Sequence, residues 1–220
     1  MCPPAGTIPA GSSIDKSIPE CIPADKLSQG AYKLAQSCLP PSIMNHSVRV
    51  FLIAQRTAQR EQLEWDHPTK KSLLCVACIL HDIGCANQFD GPQRFEIEGA
   101  DAAAAYLRQH NASSSDIHEV WQAVALHTSP GIAERISVLA RLLRQAVLVD
   151  FGSQLNEEDE VARDNAEQSF PRIGIEKILG DVVVDQALSQ PQKAPAASWP
   201  GILLRAKKDS PEWDGVNKAF

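Results

Sequence analysis

The sequence predicts an all-α domain, and three observations carry that reading. Apolar residues recur at helical spacing through most of the chain. Strand signals are nearly absent, and the short run Val182-Val183-Val184 sits in a helical context. Pro and Gly punctuate the periodic stretches where helices should begin and end. With 220 residues, 44% of them hydrophobic, the chain is long enough for one well-packed domain and short for two.

Residues 1–24 are rich in Pro, Gly and Ser, with Ile-Pro at 8–9, 18–19 and 22–23, and read as an irregular arm draped on the domain. A first helix is expected over 25–39, ended by Pro40-Pro41. Ser42 is placed to cap a second helix running to about Glu64. His46, Val50, Ile53, Ala54 and Thr57 fall on one face of it. Pro68-Thr69 opens a third helix, where Leu74, Ala77, Cys78 and His81 share a face, and Ile83-Gly84 ends it. Residues 85–94 read as a loop. A fourth helix follows from about Glu96 to Gln109, its small residues permitting close approach.

Asp116-Ile117-His118-Glu119 resembles a capping box opening a fifth helix, with Val120, Val124 and His127 on its inner face. Ser129-Pro130-Gly131 breaks it. One helix is then expected over Ile132 to Phe151, presenting Leu139, Leu143, Ala146 and Asp150 together. A polar acidic stretch, 156–164, precedes a final helix over Ile173 to Ser189. The tail, 190–220, is Pro- and Trp-rich and reads as irregular structure packed on the surface. The organisation is thus an arm with the first helix (1–40), a helical bundle (41–190) and a tail (191–220).

The net charge of −6 argues against nucleic-acid binding through a broad basic patch. No apolar run reaches the roughly 20 residues that span a bilayer, and no secretory leader is visible, so no membrane partner and a cytoplasmic location are expected. The expected partner is a small-molecule substrate, with a homo-oligomeric assembly. Cys75 and Cys78 form a CxxC. They lack a second ligand pair at zinc-site spacing and lie within an apolar helix rather than at its start, so they read as buried reduced thiols.

The chemistry concentrates at His81-Asp82, which closes the apolar run from Leu73 to Leu80. Burying that pair is costly without a partner for the charge, and a divalent metal is the natural one. His46 and Asp150 also lie on apolar helical faces. Together the four give a mixed nitrogen and oxygen set that suits Zn²⁺, Fe²⁺, Mn²⁺, Co²⁺ or Ni²⁺. The expectation is one zinc ion held by His46, His81, Asp82 and Asp150, with Asp82 also taking a proton from a bound water. His127 is expected behind these ligands as a general acid or base. Asn45 and Thr128 are candidates for orienting substrate, and Phe89 and Phe95 for walling the pocket. His67, His110 and His118 read as solvated; Glu98 and Asp101 read either as touching the site or as a solvated helix start favoured by the dipole.

The order His46, His81-Asp82, Asp150 resembles the HD-domain superfamily of metal-dependent enzymes. A closer resemblance, to the fungal cyanamide hydratase family, covers roughly residues 40–220. It rests on Asn45-His46-Ser47, Leu80-His81-Asp82-Ile83-Gly84, the segment from Arg94 to Asp101, Ala125-Leu126-His127-Thr128-Ser129, Val149-Asp150, the segment from Lys193 to Gly201, and Gly215-Val216-Asn217. The resemblance implies a lyase that hydrates the nitrile carbon of cyanamide to give urea. Binuclear relatives resemble a pattern with a further histidine near the position of Phe95, which favours one metal here. Three other readings stand beside the hydratase: an HD-type phosphohydrolase drawing on Arg49 and Arg94, a family member with a different small biosynthetic substrate, and a non-enzymatic metal-stabilised binding protein.

Overall fold

The computed structural model describes residues 18–153, 156–210 and 212–216. Among these residues every regular element is helical. The α-helices are α1 (Lys26–Cys38), α2 (Pro41–Arg60), α3 (Pro68–Leu80), α4 (Phe95–Gln109), α5 (Ser114–Leu126), α6 (Ala133–Ile136), α7 (Val138–Asp150), α8 (Glu157–Ser169), α9 (Ile175–Ser189) and α10 (Trp199–Asp209). The expected all-α class is observed. The first half of the expected arm, residues 1–17, lies outside the described residues, as does Asn217. The part that follows is draped on the domain: Ile18 and Ile22 are buried in the core.

Helix ends follow local chemistry, and it moves several expected boundaries. Asp25 caps α1 by accepting from the Ser28 amide at 2.9 Å. Helix α2 begins two residues earlier than expected, with Pro41 in its first turn, where the missing N–H is no loss. Ser42 is therefore inside the helix and does not cap it. The helix ends at Arg60 rather than Glu64, which instead opens a short 3₁₀ turn. Helix α5 starts two residues before Asp116, because Ser113 accepts from the Asp116 amide at 3.1 Å and donates its hydroxyl to that carboxylate.

The single helix expected over 132–151 is two. Ser137 leaves the helical region (φ −156°, ψ 164°) and caps α7 through the Ala140 amide. The acidic stretch after 156 is the start of α8, capped by Asn156, with Glu157, Glu158, Asp159 and Glu160 in a first turn where the macrodipole favours negative charge. The tail is not irregular throughout: Ser198 caps α10, and Trp199 and Trp213 are both buried.

Helix α2 runs through the centre, packed on α3, α7, α8 and α9, while α5 packs on α3, α4 and α7. Residues Leu73 to Leu80 of α3 are buried without interruption, so α3 is wrapped on all sides rather than half-exposed. The first turn of α4 presses on the turn after α3. A methyl group on Gly84 would run into the backbone of Phe95, and one on Gly99 would lie 3.1 Å from the His81 carbonyl. This contact needs glycine at 84 and is tight at Gly99, and it brings Phe95 and Glu96 to the end of α3. The tail closes over the same region. Lys193, buried, pairs with Asp90 and donates to the Gly91 carbonyl at 2.8 Å.

Candidate metal centre

The ends of α3 and α5 and the first half of α2 place three histidines around one carboxylate. His46 Nε2 lies 3.2 Å from His81 Nε2. Asp82 Oδ2 is 3.2 Å from His81 Nε2 and 3.6 Å from His46 Nε2, and Asp82 Oδ1 is 3.5 Å from His127 Nε2. All four residues are buried. The donor atoms of His46, His81 and Asp82 lie within 4.8 Å of one another, a spacing that suits one ion.

The outer nitrogen of each ring is held. His81 Nδ1 donates to the Cys78 carbonyl at 2.7 Å and His127 Nδ1 to the Val124 carbonyl at 2.6 Å. His46 Nδ1 faces Asp150 Oδ2 at 2.7 Å. Carbonyls and carboxylates have no hydrogen to give, so each Nδ1 carries the proton. In the neutral rings, three Nε2 lone pairs then face the same small volume as the Asp82 carboxylate. Asp82 Oδ2 is buried there and accepts no hydrogen bond. Lone pairs pointed at one another with an unsatisfied anionic oxygen among them fit a divalent cation, and outer-nitrogen hydrogen bonds of this kind orient metal-bound imidazoles.

The electrostatics agree. Burial opposes ionisation of Asp82, yet the His81, His127 and His46 side chains outweigh it and hold its carboxyl well below the usual range. Burial depresses His46, only partly offset by Asp150. For His81 burial also works against the proton, but the neighbouring Asp82 wins and raises the ring above its ordinary value. The ionised Asp82 carboxylate thus places negative charge at the focus of the Nε2 atoms.

Asp150 stands elsewhere. It accepts from Arg49 Nε at 2.6 Å on one oxygen and from Arg49 Nη2 at 2.8 Å on the other, which also faces His46 Nδ1. It thus lies behind His46, on the side of the ring away from the histidine focus. Burial would raise its carboxyl, but the hydrogen bonds from Arg49 and His46 dominate and push it far down. Arg49 is fully buried and also reaches the Phe170 carbonyl at 2.9 Å. Its place was legible as an arginine three residues after His46 on the same helix.

The expected pocket residues divide. Phe95, buried, sets its ring 5.7 Å from that of His127 and 5.7 Å from Trp199. Thr128 is buried and donates its hydroxyl to Glu96 Oε1 at 2.7 Å. Asn45 donates to the Pro171 carbonyl at 2.9 Å, tying down the segment after α8. Phe89 is half-buried on the core in a 3₁₀ turn. Phe151, which the sequence did not single out, covers His46 at 4.9 Å between ring centres. Among the other acids, Glu98 accepts from the Gln93 amide and Asp101 from the Trp121 indole, so both are engaged locally. His67, His110 and His118 are exposed. Cys75 and Cys78 are free buried thiols, and burial raises both.

An all-helical bundle with a buried histidine and aspartate cluster at its centre defines a class of metal-binding domain. Residues 43–150, from the first turn of α2 to the last residue of α7, match the HD domain. HD domains are typically metal-dependent hydrolytic enzymes that bind divalent ions. No curated protein matches the chain. Among the described residues no helix is long and apolar enough to cross a membrane.

Proposed function

We propose that the protein is a metal-dependent hydratase that adds water to a small neutral nitrile, with cyanamide converted to urea as the reaction. The observation that carries this reading is a sealed histidine and aspartate centre whose neighbouring arginines are already committed. Arg49 is held by Asp150, Arg172 by Glu176 and the Asp150 carbonyl, and Arg144 reaches the His127 carbonyl and faces Glu134. Arg94 faces Glu96. A phosphate monoester needs cationic forks turned toward its oxygens. A small uncharged linear electrophile needs none. The sequence resemblance to cyanamide hydratases points the same way.

His46, His81 and Asp82 would hold the ion, and His127, whose Nε2 faces Asp82, is proposed as the fourth ligand in place of Asp150. Zinc is the proposed ion. Such an ion, when bound, polarises a nitrile and makes a water more acidic. The chain's own residues supply the rest. The Asp82 carboxylate, through the oxygen not given to the ion, would accept the proton that the attacking water loses and pass it to the nitrile nitrogen. Arg49 and Asp150 fix the ring of His46 and keep its Nε2 lone pair inward. Phe95 and Phe151 exclude bulk water from either side, which strengthens every charge interaction inside.

The test is metal analysis of the purified chain together with urea production from cyanamide. One metal per chain and metal-dependent urea formation are expected. The HD domain is equally compatible with a phosphohydrolase. Phosphate release from nucleotides, with no urea from cyanamide, would establish that second reading instead.

A further inference from the structure

Glu96 is a carboxylate that the metal centre does not use. It sits in the first turn of α4, fully buried. One oxygen, Oε1, accepts the Thr128 hydroxyl at 2.7 Å. The other, Oε2, is buried and accepts no hydrogen bond. The nearest cation, Arg94, is itself partly exposed and stands 3.7 Å away, beyond hydrogen-bond distance. Glu96 is not one of the clustered metal-ligating groups.

Its location ties it to the reaction. Its neighbour Phe95 lies edge-on to His127, and its partner Thr128 follows His127 in the chain. The close contact of α4 with Gly84 presses this turn against the residues just after Asp82. A buried carboxylate oxygen without a donor loses hydration, and the ion pair with Arg94 at 3.7 Å does not replace the missing hydrogen bond. The group that satisfies it must be an N–H or O–H donor. An anion there would meet a like charge in a region of low dielectric.

We infer that Glu96 Oε2 is a specificity-determining acceptor for an N–H group of the substrate, selecting nitriles that carry an amino group over those that do not. Thr128 is then the residue that fixes Glu96, by occupying Oε1 and leaving Oε2 to the ligand. This rests on the hydratase reading and names the substrate class for it: an amino-nitrile rather than an alkyl nitrile or a phosphate ester.

The experiment measures binding of cyanamide and of dimethylcyanamide, which has no N–H, to the metal-loaded full chain by calorimetry, beside urea formation. The wild-type protein should favour cyanamide by at least about 10-fold, the order of discrimination one buried hydrogen bond supplies. In Glu96→Gln the Thr128 hydroxyl still donates to the amide oxygen, so the NH₂ group takes the place of Oε2 and an acceptor becomes a donor. The preference should collapse to within about 3-fold, with metal content and melting temperature unchanged. Because the two side chains have nearly the same size, the collapse reports the lost acceptor and not the bulk of the methyl groups. If Glu96→Gln fails to fold, Thr128→Val serves: it frees Glu96 to turn, and the preference should fall at least in part. An unchanged ratio in the folded variant, no preference in the wild type, or no binding of either probe overturns the inference. Urea formation with an unchanged ratio sinks this inference and leaves the hydratase reading standing. A ratio that collapses in a protein forming no urea does the reverse.

Discussion

His46 Nδ1 meets Asp150 Oδ2 at 2.7 Å on the side of the ring opposite His81, whose Nε2 lies 3.2 Å from His46 Nε2. One imidazole thus joins two different environments. Its outer nitrogen is anchored to a carboxylate that is itself neutralised by Arg49, and its inner nitrogen is offered to the metal focus. Asp150→Asn should keep the domain folded and weaken the metal, because the amide can orient the ring but no longer raises its basicity. Loss of such an outer partner typically costs about 10–100-fold in metal affinity. Competition with a graded series of chelators measures it; unchanged affinity would mean that Asp150 serves the fold alone.

Arg49 tests the other half of that arrangement. It is buried, fork-bonded to Asp150, and bound to the Phe170 carbonyl. Arg49→Met leaves a buried carboxylate with His46 and a partly exposed Arg172 3.7 Å away, and breaking one partner of a buried pair costs about 3–5 kcal/mol. Denaturant unfolding of the metal-free protein should register that loss. Combining Arg49→Met with Asp150→Asn should recover part of it, since the stranded charge is then gone. A double variant less stable than either single one would show that the pair is not the source.

Acid should act through the same groups. Asp150 and Asp82 both have folded-state values below their unfolded ones, which are about 3.9. A depressed carboxylate contributes stability that is present above its unfolded value and lost as pH falls through the folded one. The contribution of these two carboxylates in the metal-free protein should therefore hold down to about pH 4 and be lost progressively below. Asp150→Asn should flatten that decline. A melting-temperature series against pH for the two proteins decides the matter, and parallel curves would count against Asp150 as a source.

Much of this centre was legible because its ligands lie on helices with strong periodicity. His46, His81 and His127 each repeat with the apolar residues of their own face, so the inward direction of all three followed from spacing. What spacing does not carry is the rotation of a side chain about its own bonds. Asp150 shares the buried face of α7 as expected, yet which partner its oxygens choose depends on Arg49, 101 residues away in the chain. Likewise Glu96 read only as part of a motif. Its burial comes from the Gly84 and Phe95 approach and from Thr128, contacts between elements that no single-helix pattern encodes. The split at Ser137 and the capping of α8 and α10 are cap chemistry overriding apolar periodicity, as Ser137, Asn156 and Ser198 each accept an amide three residues on.

Gly84 offers a test of the contact that positions Glu96. A methyl there would meet the backbone of Phe95 and of Gly99, neither of which can rotate away. Gly84→Ala should force α4 off the turn after Asp82, with a cost typical of overpacking, about 1–3 kcal/mol. Activity should fall by more than Gly99→Ala produces, since the contacts at Gly99 are 3.1 Å or longer and yield by small shifts. Equal stability of the two variants would argue that the α4 contact is looser than its geometry.

His127 separates the two roles open to it. Its Nδ1 is committed to the Val124 carbonyl, so in the neutral ring Nε2 bears a lone pair and faces Asp82 at 3.5 Å. A ring in that tautomer offers Nε2 as a ligand atom. As a proton donor it would need a second proton on Nε2, directly opposite the cation that the cluster fits, and the two positive charges would compete for the same carboxylate. His127→Ala should therefore lose metal and activity together, and imidazole supplied in the buffer should restore part of both by filling the vacated space. A variant that retains one metal while turnover drops by about 10²–10⁴-fold would instead make His127 a general acid. Metal content and turnover measured on the same preparation distinguish these outcomes without reference to which substrate is used.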